Sequence, residues 1–345
     1  MKSPIFIVGA NRSGTTLLRL ILNAHSRIAI PEEVVYFGSF MAGVPIEKWR
    51  SPGLSEEAYS DFVHDFVFKK CAPLEGVNNQ DVINQILQDK PYDFSKPYRY
   101  MLESWAVTHK KQRWGEKTPG NLFYADILLE MFPDARFIHV VRDPRAGVSS
   151  MMNTTFFPKD IVFNALSRHK FMTEGRAILE KSVPADQRMS LRYEDLVINP
   201  EETIQDLCSF LQEPFEPSMM AFYKDSSRYM KQDAATSFNQ AATKPISVEM
   251  LNKWKKKLTE SDIAQIESLC SSEMKEFEYE FENKPLNVGK RSEIILKKLY
   301  WDWQVKRHRH IRHFTVKSLM FARFLNRIQK VLGVGETSNP KHAKS

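Results

Sequence analysis

Apolar residues in this chain come first in short unbroken runs and only then in helical stripes. Ile5, Phe6, Ile7 and Val8 form one such run, and Phe137 to Val141 form another. Runs without alternation predict strands buried on both faces of a parallel sheet, because a strand with one wet face alternates instead. Residues 28–30, 113–117 and 188–193 read as further short strands. Between them the spacing lengthens: Leu17, Leu18, Ile21 and Leu22 share one face of a helix over 15–24. Helices are also predicted over 55–70, 79–88, 95–110, 121–132, 163–181, 200–211, 217–223 and 260–277. The pattern fades over 226–248, which reads as a long loop able to act as a lid.

The junction between the first strand and helix carries the first chemical signal. Gly9-Ala-Asn-Arg12-Ser13-Gly14-Thr15-Thr16 is a glycine-bounded turn leading into a helix N-terminus. Such a turn offers unpaired amides and a dipole end to an anion. It has the outline of a Walker A loop, GxxxxGK[ST], but Thr15 stands where the lysine belongs. A triphosphatase needs that lysine and Mg²⁺ to offset its substrate's charge. A sulfuryl group carries less charge and can be moved without metal. The basic group has moved into the loop, to Arg12.

Two later stretches belong with it. Lys117 ends a predicted strand at a Lys-Thr-Pro turn, where open α/β sheets place their ligands. Arg142 ends another, and Asp143-Pro144 is an N-cap and first-turn pair for the next helix, which carries Ser150 two turns on. An arginine, a serine hydroxyl and a dipole end form a clamp for a phosphate dianion; the competing reading pairs Arg142 with Asp143 or another nearby acid. His139 reads as a core histidine in mid-strand and His25 as a cap at the end of the first helix.

Pro4 to Thr16 resembles the 5′-phosphosulfate loop of the sulfotransferases that use 3′-phosphoadenosine 5′-phosphosulfate (PAPS). Followed by Ala24-His25 and Glu32-Glu33, it is most similar to the tyrosylprotein sulfotransferases and their bacterial relatives. The resemblance covers 4–33, 113–151 and, loosely, 188–282. It implies an α/β, P-loop-like three-layer fold, a central parallel sheet flanked by helices. It implies PAPS as co-substrate, released as adenosine 3′,5′-bisphosphate, and no metal. By the same resemblance Arg12, Ser13, Gly14, Thr15 and Thr16 surround the 5′-phosphosulfate, and Arg142 and Ser150 hold the 3′-phosphate. Tyr193 contacts the nucleotide, and Ser237, Lys244 and Lys253 belong to a segment that closes over it. Glu33 takes the place of the catalytic base, and Lys117 that of a lysine beside the bridging oxygen, with Arg12 sharing the charge.

Two departures bear on the acceptor. Tyrosylprotein sulfotransferases carry arginines after the catalytic glutamate, which grip an acidic peptide; here Val34, Val35, Tyr36 and Phe37 follow and read as an apolar cleft entrance. Thr154 stands near the place of an expected arginine after the 3′-phosphate serine. The acceptor hydroxyl, on a peptide, glycan or lipid, and the choice between monomer and homodimer are left open. The rival readings are a P-loop kinase or triphosphatase, and a non-catalytic nucleotide-binding adaptor.

Composition sharpens the organisation. The 345 residues carry 49 Lys and Arg against 42 Asp and Glu, but the excess is local. Between Lys284 and Leu332 there are 13 Lys and Arg against two acids, Glu293 and Asp302. Residues 1–283 therefore read as the catalytic domain, with a helical insertion over 34–110 forming part of the acceptor cleft. Residues 284–345 read as a C-terminal basic amphipathic helical extension with a flexible tail. That extension can lie on an anionic membrane, grip an acidic partner or pack on the body; basic residues around an apolar stripe do not read as a nucleic-acid module. Cys71, Cys208 and Cys270 make no CxxC, and no segment approaches the roughly 20 apolar residues of a membrane span. The expectation is a cytoplasmic enzyme, peripheral at a membrane surface, or the catalytic part of a longer protein.

Overall fold

A computed structural model describes residues 2–34, 36–37, 54–70, 74–155, 157–229 and 243–307. Its centre is a parallel sheet built from the apolar runs: β1 (Ile5–Gly9), β2 (Ile28–Ala29), β3 (Arg113–Lys117), β4 (Arg136–Val141) and β5 (Arg188–Arg192), in the order β2-β3-β1-β4-β5. Ile5 is in register with Gly115 on one side and Arg136 on the other, so β1 is central. Phe6 and Val8 face one hydrophobic layer while Ile5 and Ile7 face the other, which is why the run does not alternate.

The second layer, behind Ile5 and Ile7, is formed by α1 (Thr15–Asn23), α9 (Tyr193–Ile198) and α10 (Pro200–Leu211). The first contains α2 (Glu56–Asp65), α3 (Asn79–Gln88), α4 (Ser95–Thr108) and α5 (Ala125–Met131), packed with Phe6, Trp114 and Phe137 of the sheet. An aromatic network joins its parts: Tyr36 stacks on Tyr98 with centroids 5.0 Å apart, and Phe6 on Phe137 at 5.3 Å. Beyond β4 come α6 (Pro144–Met152), α7 (Ile161–Lys170) and α8 (Arg176–Ser182); α11 (Glu260–Leu269), α12 (Ser271–Glu276) and α13 (Val288–Arg307) complete the described helices.

Several elements differ in detail from the sequence pattern. The helix expected over 163–181 is divided by a π-turn at Phe171–Gly175, and that over 260–277 breaks at Cys270. Residues Pro217–Lys224 form 3-10 turns rather than an α-helix. Tyr36 and Phe37 are fully buried in the aromatic layer, so these two side chains build core rather than the expected apolar cleft entrance. Of the closing loop, 230–242 and with it Ser237 lie outside the described residues, as do Cys71 and the tail 308–345. No helix among the described residues is long and apolar enough to cross a membrane.

Phe6 touches Trp114, Phe132 and Phe137 at the middle of the first layer. Phe6→Ala is expected to cost about 3–5 kcal/mol, read as a lower urea midpoint with an unchanged transition slope.

Candidate active site

The loop from β1 to α1 turns back sharply. Arg12 adopts φ 65° and Gly14 φ 101°, both in the left-handed region. A Cβ on Gly14 would stand 2.4 Å from the Tyr193 ring, so backbone and ring meet only because this residue is glycine. Gly14 caps α1 without a side-chain hydrogen bond, leaving the first-turn amides, beginning at Thr15 and Thr16, at an anion-binding end. Ser13 is spent differently. Its amide donates to the Ala10 carbonyl (3.2 Å), and its side chain is fully buried and absent from the cavity lining.

The Arg142 segment meets this loop directly. Arg12 Nε donates to Ser150 Oγ at 3.0 Å, and Arg142 Nη1 donates to the Arg12 carbonyl at 3.3 Å. The Arg142 guanidinium lies over the Tyr193 ring, 4.1 Å from its centroid. Asp143 is held by Arg145 at 2.8 Å while its side chain caps α6, so its carboxylate is used there; Glu194, which accepts from the Asp143 amide and the Tyr279 hydroxyl, still lies in the field of Arg142. Arg142 Nε is buried without a hydrogen-bond partner. Burial, then the neighbouring Arg142 cation, lowers the pKa of Arg12, with Glu33 opposing. Two crowded cations and an unused donor make a seat that an anion would relieve.

One residue not singled out in the sequence fastens these parts. Arg168, on α7, is buried; its Nη1 donates to the Asn11 carbonyl (2.5 Å), and its Nη2 to Ser13 Oγ (3.3 Å) and the Arg142 carbonyl (3.1 Å). It reaches them because position 147 of α6 is glycine; a Cβ there would stand 2.1 Å from the guanidinium carbon. The sequence signal was faint: a charge on the apolar side of a helix, where cations are seldom buried unless paired.

Glu33 and Lys117 also meet, with Lys117 Nζ 2.5 Å from Glu33 Oε1. Lys117 ends β3, and Glu33 is bracketed on both sides. Asn23 exchanges two hydrogen bonds with Ile30, donating to its carbonyl (2.8 Å) and accepting from its amide (2.9 Å). On the far side the Val34 amide donates to Glu116 Oε1 at 3.4 Å. Glu116 is fully buried and also accepts from Thr118 Oγ1 and from Asn121 Nδ2 (2.6 Å). Burial, with help from the Glu33 charge, pushes its pKa up to about 7.

Both histidines lie elsewhere. His139 is buried in β4, where burial pushes its pKa down to about 3. His25 Nδ1 accepts from the Arg27 amide (3.0 Å), so Nε2 donates to the Pro214 carbonyl (3.1 Å). It ties α1 to the 214 turn rather than capping its own helix.

These groups converge on one cavity of about 750 Å³ at the carboxyl edge of the sheet. Arg12, Gly14, Thr15 and Thr16 line it together with Glu33 and Lys117, with Arg142, Ser150 and Tyr193, and with Lys244 and Lys253. Thr154, Lys257 and Trp254 line it as well. Its six cationic side chains face two carboxylates, Glu33 and Glu249. None of the described residues of 54–110 lines it; they form the layer over the sheet.

The parallel sheet and its glycine loop define a P-loop-like α/β fold. The chain belongs to the sulfotransferase family, whose sequence model matches residues 4–217. Protein-tyrosine sulfotransferase A of Caenorhabditis elegans is 24% identical over 305 residues, 85% of this chain and 72% of that protein. The Mycobacterium bovis protein named omega-hydroxy-beta-dihydromenaquinone-9 sulfotransferase Stf3 is 24% identical over 294 residues, 69% and 71% of the two chains. The sulfotransferase domain of the Synechococcus PCC 7002 olefin synthase shares the fold at a TM-score of 0.54, with 22% identity, covering 81% of this chain and 97% of that one.

Arg168→Ala leaves three acceptors, one buried and two part-buried, without their donor, and a loss of roughly 2–4 kcal/mol is expected in urea unfolding. Glu116 sets a pH dependence. Its ordinary pKa is 4.5 and its folded one about 7, so between those values the unfolded chain loses the proton first. Rising pH across that window is expected to lower stability by roughly 3 kcal/mol. Glu116→Gln should flatten the corresponding fall in thermal midpoint between pH 5 and pH 7.5.

Proposed function

We propose that the chain transfers the sulfuryl group of PAPS to an acceptor hydroxyl. The observation that carries this reading is that two segments far apart in sequence, the loop with Arg12, Gly14, Thr15 and Thr16 and the stretch with Arg142 and Ser150, line the same cavity as the Glu33–Lys117 pair. The first suits the 5′-phosphosulfate and the second the 3′-phosphate, with Tyr193, Lys244 and Lys253 in the wall around the nucleotide. Ser13 supports the loop through Arg168 rather than reaching the ligand.

In the proposed reaction the acceptor oxygen attacks sulfur in line as its proton passes to the Glu33 carboxylate. The bond from sulfur to the bridging oxygen breaks, and the electron pair leaves on the 5′-phosphate. Lys117, Arg12 and the helix amides offset that charge. Once Glu33 is protonated its hold on Lys117 weakens, which frees the ammonium for the leaving oxygen. Positioning within the cavity supplies much of the remaining rate enhancement.

For the acceptor we propose an alcohol or phenol without flanking acids. Val34, Tyr36 and Phe37, which follow the glutamate, are buried and uncharged, and Leu17, Pro119, Phe157 and Met250 give the cavity an apolar part. One relative is named for protein tyrosine and another for a hydroxylated menaquinone, so both phenolic and lipid hydroxyls belong in the acceptor panel.

Calorimetry is expected to show binding of adenosine 3′,5′-bisphosphate and none of ATP with Mg²⁺; the reverse preference would sink the PAPS reading. With labelled PAPS and a responding acceptor, Glu33→Ala and Lys117→Ala should each lower kcat by about 10²-fold or more while nucleotide affinity stays near wild type. Arg142→Ala should instead weaken the bisphosphate by about 10- to 100-fold. Wild-type turnover by Glu33→Ala would remove the base assignment.

A further inference from the structure

Helix α13 has two apolar faces, and only one is used. Ile294 and Trp301 are buried against Val162, Phe163 and Leu166, and Lys297 donates to Asp160 at 2.5 Å, so the helix is docked on the body. On the opposite side Ile295, Leu296, Leu299 and Trp303 are 58%, 67%, 62% and 51% exposed, and Val288 is 79% exposed. At 3.6 residues per turn these five positions fall within an arc of about 100°. They are half of the large apolar side chains exposed among the described residues.

The charges around this stripe bear on what it would suit. Arg291 and Lys298 are exposed along one edge, together with Asp302, and Arg307 along the other, with Lys306 at the C-terminal end. Of the two acids on the helix, Glu293 is committed to Lys290 and Lys297, which leaves Asp302. The sequence then continues with Arg309, Arg312 and Lys317. An apolar stripe with a tryptophan, rimmed by cations on both edges, matches an anionic lipid surface, which offers apolar depth below and negative charge at the level of the rim.

We propose that the outward face of α13 seats the protein on anionic membranes. Its place in the fold gives this a consequence. Asp160, which holds Lys297, is three residues from Phe157 in the cavity wall, a reach of at most about 10 Å of chain. The segment that holds α13 thus runs on into the cavity wall, so seating by this helix would bring the cavity toward a membrane that carries an apolar alcohol. That consequence rests on the acceptor reading given above; the docking itself does not.

The test uses the full chain, sedimented with vesicles of phosphatidylcholine alone and of phosphatidylcholine mixed with phosphatidylglycerol. Binding to the mixed vesicles is expected, with loss as salt is raised. The triple change I295S/L299S/W303S should reduce the bound fraction about tenfold or more while circular dichroism and thermal unfolding stay as in the wild type. R291E/K298E should reduce it by a similar factor, since each cation near such a surface contributes about fivefold. The proposal is overturned by a chain that stays in the supernatant with both vesicles, or by a triple variant that binds like wild type. It is equally overturned by a wild-type dimer in sedimentation velocity that the triple variant dissociates, which would assign the face to a second copy. Failure of the acceptor screen with vesicle binding intact would remove the acceptor reading and leave the docking standing.

Discussion

A single buried guanidinium ties together two of the segments that line the cavity. Arg168 reaches the Asn11 carbonyl, the Ser13 hydroxyl and the Arg142 carbonyl from one side chain. The guanidinium itself is removed from water and would leave its donors unpaired if it let go, so each bond resists movement of the segment it holds. The loop after β1 and the end of β4 are thereby fixed relative to each other. The space made by Gly147 is part of the same device, because any larger residue would push Arg168 out of reach.

The region around the cavity carries costs that the rest of the fold supports. Arg12 sits in a left-handed backbone conformation, beside another arginine, with its pKa lowered. Glu116 is a carboxyl fully removed from water, whose pKa burial raises. Residues in such positions persist when their surroundings over-determine them. Here the surroundings are the all-parallel sheet and two packed layers, in which Phe6, Trp114 and Phe137 on one side and Ile5, Ile7 and Ile138 on the other leave the strands no freedom to shift. The same strands end at Lys117 and at the edge of Arg142, so core packing is converted directly into the placement of charge.

Much of this arrangement was legible along the chain. The unbroken runs at 5–8 and 137–141 placed two strands, and the turn from Gly9 to Thr16 marked part of what became the cavity wall. Local patterns also placed the helices over 79–88 and 200–211, since caps and apolar spacing are properties of neighbouring residues. Less legible were the features that depend on partners far away. Tyr36 and Phe37 look like an apolar entrance until Tyr98 and Tyr124 close over them. Arg168 looks like one more cation on a long helix, and Glu116 like one more acid beside a lysine.

Periodicity and turn chemistry, being short-range, thus determined the α/β class, the glycine loop and the residues able to carry charge. Only the folded chain decided which of those residues share a cavity, that Ser13 faces Arg168 instead of it, and that α13 spends one apolar face on the body and shows the other to solvent. The reason is that burial, charge repulsion and the satisfaction of buried polar groups are set by what lies across space, and a linear order of side chains does not contain that information.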